Sequence, residues 1–308
     1  MRIAVIDLGT NTFNLLVAES RVGADFQTLY NEKLPVKLGE GGINKGFITE
    51  AAFQRGIEAM ENYASTIRQW HAERTLAFAT SAVRNASNGK EFVDEVKRRT
   101  GIEIQVIDGA KEAEFISIGV RQAVRLSEKP SLIIDIGGGS TEFIIVDDKS
   151  VLWKQSFEIG ASRLMQRFEP SDPVNADEKK VIVDYLIHEL KPLWEASKKF
   201  NVTELIGASG SFESLAELVN MRFHSLPGLS NKTECEFNLD QCAIIHAAIL
   251  SSTRAERLKM KGLVAMRVDL IVVSAILVET VLNELSISKM RYSSYSLKEG
   301  VLWDFLNN

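Results

Sequence analysis

The sequence predicts an α/β protein built as two related halves that face each other across a cleft. Three observations carry that expectation. Short apolar runs alternate with segments of helical periodicity along the whole chain, the pattern of layered α/β domains. The run Leu132-Ile133-Ile134-Asp135-Ile136-Gly137-Gly138-Gly139-Ser140-Thr141-Glu142-Phe143-Ile144-Ile145-Val146 repeats the segment from Ala4 to Ala18, with Asp135 over Asp7 and Gly137 over Gly9, 128 residues on. A repeat at domain spacing weighs more than either motif alone. Finally, 308 residues is about twice the length of a usual single domain.

The elements follow in order. Ile3 to Ile6 is a β-rich run that ends in Asp7-Leu8-Gly9-Thr10-Asn11-Thr12, and Phe13 to Val17 is a second one, so strand, glycine turn, strand is the plain reading. Leu38-Gly39-Glu40-Gly41-Gly42 is a loop. Thr49 caps a helix with Glu50 in its first turn, and Phe53, Ile57, Met60 and Ile67 keep helical spacing to about Trp70. Leu76 to Ala79 reads as a strand that passes through Thr80-Ser81-Ala82-Val83-Arg84-Asn85-Ala86 into a helix. Ile104 to Ile107 is another strand, and Lys111 to Val124 another helix.

Past the repeated motif, residues 177–200 read as helical with an interruption at Pro192. Val202 to Ile206 is a strand that runs into Gly207-Ala208-Ser209-Gly210-Ser211, and Phe212 to Val219 opens a helix. Residues 240–260 and 267–285 read as helices, Met290 to Tyr295 as a strand, and Leu297 to Leu306 as a closing helix. Leu126-Ser127-Glu128-Lys129-Pro130 is the most polar connection, which sets the halves at 1–125 and 126–292. Leu297, Val301, Leu302 and Phe305 make an apolar face at helical spacing.

Composition excludes several classes. Apolar residues are 45% and charged ones 25%, an ordinary globular mix. Net charge is −5, and the 36 basic residues form no long run, which argues against a nucleic-acid partner. A small polyanion held at one local site stays compatible with that charge. The longest apolar stretch, Leu270 to Val278, falls well short of the roughly 20 residues a membrane span needs. Two cysteines, Cys235 and Cys242, are too few for a disulfide framework, so a reducing cytoplasm is the simplest setting.

Two Asp–Gly turns facing one another suit a phosphate. Glycines let backbone amides approach it, and the hydroxyls of Thr10, Thr12, Ser140 and Thr141 add donors. Asp7, Asp135 and Glu142 offer the hard oxygens that suit Mg²⁺, which binds through one or two carboxylates plus substrate phosphate. The bland alternative is a pair of ordinary hairpins. Ser209, Gly210 and Ser211 stand between a strand and a helix, where helix-terminal amides attract anions, although many such turns carry small residues for packing alone. Arg84 follows a strand, in a place for a guanidinium fork on phosphate or for a surface salt bridge. Glu112 opens a helix after Asp108-Gly109, where a carboxylate can orient an attacking water or simply favour the helix dipole. No Gly-Lys-Ser/Thr or Gly-x-Gly-x-x-Gly signature follows a strand, and the four histidines show no metal-ligand spacing.

Together these stretches closely resemble the exopolyphosphatase and guanosine pentaphosphate phosphohydrolase family. They are Ala4 to Val17, Leu38 to Gly41, Ala79 to Ala86, Glu112-Ala113, Asp135 to Glu142, Gly160 with Arg163-Leu164, Gly207 to Ser211, Arg267 with Asp269, and Leu297-Lys298-Glu299-Gly300. The resemblance implies the duplicated ribonuclease H-like fold of actin, sugar kinases and heat-shock ATPases, two half-domains with an interdomain cleft, and a last segment (293–308) that returns to the first half. It implies Mg²⁺-dependent release of a terminal phosphate from inorganic polyphosphate or guanosine pentaphosphate, and a cytoplasmic homodimer. Glu112 would be the catalytic base. Asp135, Glu142 and Asp7 would be metal-associated; Gly9, Thr10, Asn11, Thr12, Arg84, Gly137, Gly138, Gly139, Ser140, Thr141, Ser209, Gly210, Ser211 and Arg267 would contact phosphate. Lys111 replaces a family glutamate beside Glu112 and alters the local charge, while Lys298 stands where arginine is usual. Longer members carry a C-terminal helical domain with a His-Asp motif, whose absence from this sequence implies short chains as substrate or slow turnover. A kinase or a non-hydrolytic nucleotide-binding regulator would use the same turns.

Overall fold

A computed structural model describes residues 1–21, 25–224 and 232–308. The first half contains β1 (Arg2–Leu8), β2 (Phe13–Ser20), β3 (Phe26–Leu34), α1 (Glu50–Gln69), β4 (Arg74–Ala79), α2 (Ser81–Arg84), α3 (Gly89–Thr100), β5 (Ile104–Val106) and α4 (Gly109–Ala123). The second opens with β6 (Ser131–Ile136), β7 (Thr141–Val146), β8 (Val151–Phe157), α5 (Ala161–Phe168), α6 (Ala176–Glu189), α7 (Lys191–Phe200), β9 (Glu204–Ala208) and α8 (Ser209–Val219). Then come β10 (Glu234–Phe237), α9 (Leu239–Ser251), α10 (Arg254–Arg257), a 3-10 turn (Ala265–Arg267), α11 (Leu270–Glu284), β11 (Lys289–Ser293) and α12 (Leu297–Asn307).

The duplication is visible in the strand order. The first sheet runs β3-β2-β1-β4-β5 and the second β8-β7-β6-β9-β11, with β10 added at its edge. In each, the first three strands are antiparallel and the rest of the shared order continues in parallel. This is the duplicated ribonuclease H-like fold that the sequence predicts. Register carries the repeat to single residues: Asp7 pairs across the strands with Asn14, and Asp135 with Glu142. Both aspartates end a buried first strand beside a parallel neighbour, the edge where ligands bind open α/β sheets.

Two helices tie the halves together. Helix α4 packs on β7 and β8 of the second sheet, while α12 returns to β1 and β2 of the first, and the two helices pack on each other. They cross where a side chain has no room: a Cβ on Gly300 would lie 1.8 Å from the Phe115 carbonyl oxygen, and one on Gly119 would lie 2.1 Å from that of Ser296. Leu297, Val301 and Leu302 bury into an apolar core shared by Ile3 and Val5 of the first sheet and Ile133 and Ile144 of the second. Glu112 and Ser296, at the N-terminal ends of α4 and α12, are thereby brought to the cleft.

Sequence and structure differ locally. The helical stretch 177–200 breaks at Leu190 rather than at Pro192. Pro192 sits in the first turn of α7, where its missing N–H leaves no bond unmade. The stretch 240–260 is likewise interrupted, at Ser252. Strand β3 and helix α3 carry too few regular apolar positions to announce themselves; β3 is largely half-exposed as an edge strand. Among the described residues, no helix is long and apolar enough to cross a membrane.

Candidate active site

The two glycine turns meet at a cavity of about 370 Å³ between the halves. They touch each other directly. A Cβ on Gly138 would lie 2.6 Å from the Asn11 amide nitrogen, and one on Gly139 would lie 2.5 Å from the Ser81 hydroxyl oxygen. Close approach between halves therefore requires these glycines. The turn is also fixed from behind. The carbonyls of Gly137, Gly138 and Gly139 accept bonds from the amides of Ala161 (2.9 Å), Ser162 (2.9 Å) and Gly160 (3.2 Å) at the start of α5. In a trans peptide the next N–H points opposite to the carbonyl, so the amides of Gly138, Gly139 and Ser140 are directed away from α5 and toward the cavity side. That is the arrangement of an anion nest.

Most residues singled out from sequence line this cavity: Asp7, Gly9, Thr10, Asn11, Thr12, Glu112, Asp135, Gly137, Gly138, Gly139, Ser209, Gly210, Ser211 and Arg267. Four do not line it. Thr141 is fully buried and its hydroxyl donates to the Ile159 carbonyl at 3.3 Å. Ser140 is buried beside Glu142 and bonds to it. Glu142 itself is 1% exposed and accepts from the Ser156 hydroxyl at 2.7 Å. Arg84 stands behind Glu112, which it meets at 3.0 Å through Nη1.

Glu112 sits one turn into α4, whose N-cap is Asp108; the Asp108 carboxylate accepts the Lys111 amide at 2.7 Å. Burial raises the pKa of Glu112 well above the usual glutamate range, the nearby Glu142 adds to that, and Arg84 opposes both. Burial thus favours the protonated form of Glu112 and gives its carboxylate the high proton affinity that a base for water needs. Lys111, expected to alter the charge at Glu112, instead turns to Glu114 at 2.7 Å and lies over the Phe115 ring at 4.4 Å. Its neighbour on the helix points elsewhere, so the substitution leaves Glu112 with Arg84.

The acid cluster is strongly perturbed. Asp7 accepts from the Asn14 amide at 2.9 Å, yet burial and Asp135 push its pKa up to about 7. Asp135 accepts from the Ser296 hydroxyl and is also raised by burial. Glu142 is raised by burial and then by the charge of Asp135. The half-buried Asp7 and the buried Asp135 and Glu142 offer hard carboxylate oxygens of the kind Mg²⁺ takes, and in that donor chemistry the residues fit it. Among the described residues no three acidic, histidine or cysteine side chains form a ready-made cage.

Opposite the acids stand two cations. Arg267, carried by the 3-10 turn, lies against Gly210, where a Cβ would be 1.5 Å from its Nη2. Burial lowers its pKa, and among the described residues no side-chain hydrogen bond or ion pair is made by its guanidinium. Burial works against the charge of Lys298, but Glu299 at 2.8 Å and Asp7 outweigh it and leave the pKa raised.

Sequence reasoning missed several members. Asn14 occupies the position in the first half that Glu142 holds in the second, and the repeat could have found it. Ser156, Glu158 and Ser296 gave no such signal. Ser296 opens a Ser-x-x-Glu cap, its amide bound by Glu299 at 3.0 Å, but nothing in the sequence says its hydroxyl reaches Asp135.

The profile of the Ppx/GppA phosphatase family matches residues 16–308. Exopolyphosphatase 1 of Mycobacterium tuberculosis is 29% identical over 98% of this chain and 87% of its own length. The guanosine-5'-triphosphate,3'-diphosphate pyrophosphatase of Photobacterium profundum is 27% identical over 99% of this chain and 59% of its own. The crystal structure of an exopolyphosphatase from Cytophaga hutchinsonii superposes with a TM-score of 0.96 at 42% identity, covering 100% of this chain and 98% of that one.

Proposed function

The chain belongs to the Ppx/GppA phosphatase family, and from that premise we propose that it is an exopolyphosphatase that releases the terminal phosphate of inorganic polyphosphate. The observation that carries this reading is Glu112, a buried carboxylate on the cavity wall facing two amide-rich glycine turns. Glu112 orients a water toward the terminal phosphorus and takes its proton as the oxygen attacks. The bond from that phosphorus to the bridging oxygen breaks, and the chain leaves one phosphate shorter. The amides of the Gly137–Ser140 turn and the guanidinium of Arg267 receive the charge that develops on the transferred group. Arg84 keeps Glu112 in place rather than reaching into the cavity itself.

Magnesium is part of the proposal. Asp7 and Asp135 on the cavity wall, with Glu142 behind them, would hold it, and when bound it would neutralise phosphate oxygens. The division near residues 125 and 126 is retained, completed by α12. A cytoplasmic setting is supported by the free Cys235 and Cys242; a homodimer rests on family resemblance alone. Guanosine pentaphosphate is the second substrate reading, favoured by the Photobacterium relative. Phosphate release from short polyphosphate, long polyphosphate and guanosine pentaphosphate, measured side by side with Mg²⁺, decides between them. No release from any of the three by folded protein that binds phosphate would turn the reading to a non-hydrolytic regulator.

A further inference from the structure

A residue outside every motif joins the two halves of this site. Glu158 lies between β8 and α5 in the second half. Its Oε2 accepts from the Ser81 hydroxyl at 2.9 Å and from Arg163 Nη2 at 2.6 Å; its Oε1 accepts from Arg84 Nη2 at 3.4 Å. Ser81 and Arg84 belong to α2 of the first half, so Glu158 reaches across the cleft.

Each cation it holds has a second task. Arg84 donates through Nη1 to Glu112 Oε2 at 3.0 Å and to the Ile107 carbonyl at 3.0 Å. Arg163 donates through Nε to the Gly139 carbonyl at 3.0 Å and through Nη1 to the Ile43 carbonyl at 2.9 Å. One carboxylate thus links the base, by way of Arg84, to the phosphate-facing glycine turn, by way of Arg163. Its side chain is 46% exposed, and the partial desolvation that works to raise its pKa is outweighed by Asn85, Ser81 and the two arginines, which favour the charged form of Glu158.

We propose that Glu158 is a positioning residue that fixes Glu112 relative to the glycine turn, so that the base is correctly set only while the two halves are docked. The inference rests on the hydrolase reading above. Without the anion, Arg84 and Arg163 lose a common partner, and Arg84 is free to close with both nitrogens on Glu112 and draw it off its line to the water. Ground-state binding of phosphate, which uses the turn amides and Arg267, is left largely in place. The signature is therefore a lowered kcat at near-constant KM.

The test compares wild type, Glu158→Gln, Glu112→Gln and the double variant in steady-state phosphate release from short polyphosphate with Mg²⁺. We expect Glu158→Gln to lower kcat by about tenfold or more with KM changed by less than about threefold, because the lost alignment acts on the proton-transfer step. In the Glu112→Gln background the same substitution should cost almost nothing, since its effect passes through Glu112. A purely structural role predicts the same loss in both backgrounds, and that result overturns the proposal. So does an unchanged kcat in Glu158→Gln. Should the amide variant unfold, Glu158→Asp carries the same comparison, being charged but too short to span both arginines. A wild type that releases no phosphate defeats the hydrolase reading and this inference with it, whereas an active wild type with a normal Glu158→Gln defeats the inference alone.

Discussion

Asp7→Asn separates the energetic cost of the acid cluster from its use. Asp7 titrates at about 7 in the folded protein against 3.8 for a free aspartate. The folded state therefore keeps a proton that the unfolded chain has already lost, and stability falls as pH rises from 3.8 toward 7. Between pH 5 and pH 8 about two units of that difference are titrated, worth about 2.7 kcal/mol. Water in the cavity reaches part of Asp7 and screens it, so about 2 kcal/mol is the working figure. Asparagine carries no such titration and still offers Asn14 an oxygen. Urea denaturation at both pH values, with and without Asp7→Asn, measures the change. The variant should gain about 2 kcal/mol on wild type between pH 5 and pH 8. Mg²⁺ at pH 8 should raise the midpoint of wild type more than that of the variant. An equal wild-type-to-variant difference at both pH values would refute the claim that Asp7 is held against its charge.

Three further outcomes follow from the same geometry. Arg267→Ala should raise KM for polyphosphate by about tenfold to a hundredfold, the worth of a charge-assisted contact, and a KM unchanged in steady-state kinetics would remove Arg267 from the phosphate site. Gly300→Ala should cost about 1 to 3 kcal/mol in urea denaturation, because its Cβ meets the Phe115 carbonyl, and it should lower activity by shifting the helix that carries Glu112; a stability equal to wild type would mean the two helices separate freely. Burial lowers the pKa of His246 from 6.5 to about 4, so the neutral ring stabilises the fold above pH 6.5 and that contribution is lost as pH falls to 4. His246→Phe should recover about 3 kcal/mol relative to wild type over that interval, and parallel stability–pH curves would contradict it.

The parts of the site that share one strand or one turn were legible in the sequence. The repeat placed Asp7 and Asp135 at equivalent strand ends, and the glycines on either side of the cleft followed from it. Its place at a strand-to-helix turn made Glu112 a candidate, and the family resemblance made it the base. What escaped was everything set by contact between halves. Glu158 meets Ser81 across 77 residues, and Ser296 meets Asp135 across 161; no periodicity reports such a pair. Residue type also concealed direction. Ser140 and Thr141 have the hydroxyls a phosphate would use, but Thr141 is turned inward where β7 pairs with β6, and Ser140 is buried against Glu142. Lys111 has the charge to disturb Glu112, but its chain lies along the helix toward Glu114. Arg84 was read as a fork on phosphate or a surface salt bridge, and here it forms ion pairs with Glu112 and Glu158.

The central claim is that Glu112 is the group that activates water in this cavity. Glu112→Gln keeps the shape and removes the proton acceptor, so kcat for phosphate release should fall by about a hundredfold to ten-thousandfold while polyphosphate binding, followed by fluorescence or calorimetry, persists. A variant that releases phosphate at the wild-type rate would place the base elsewhere and contradict the account.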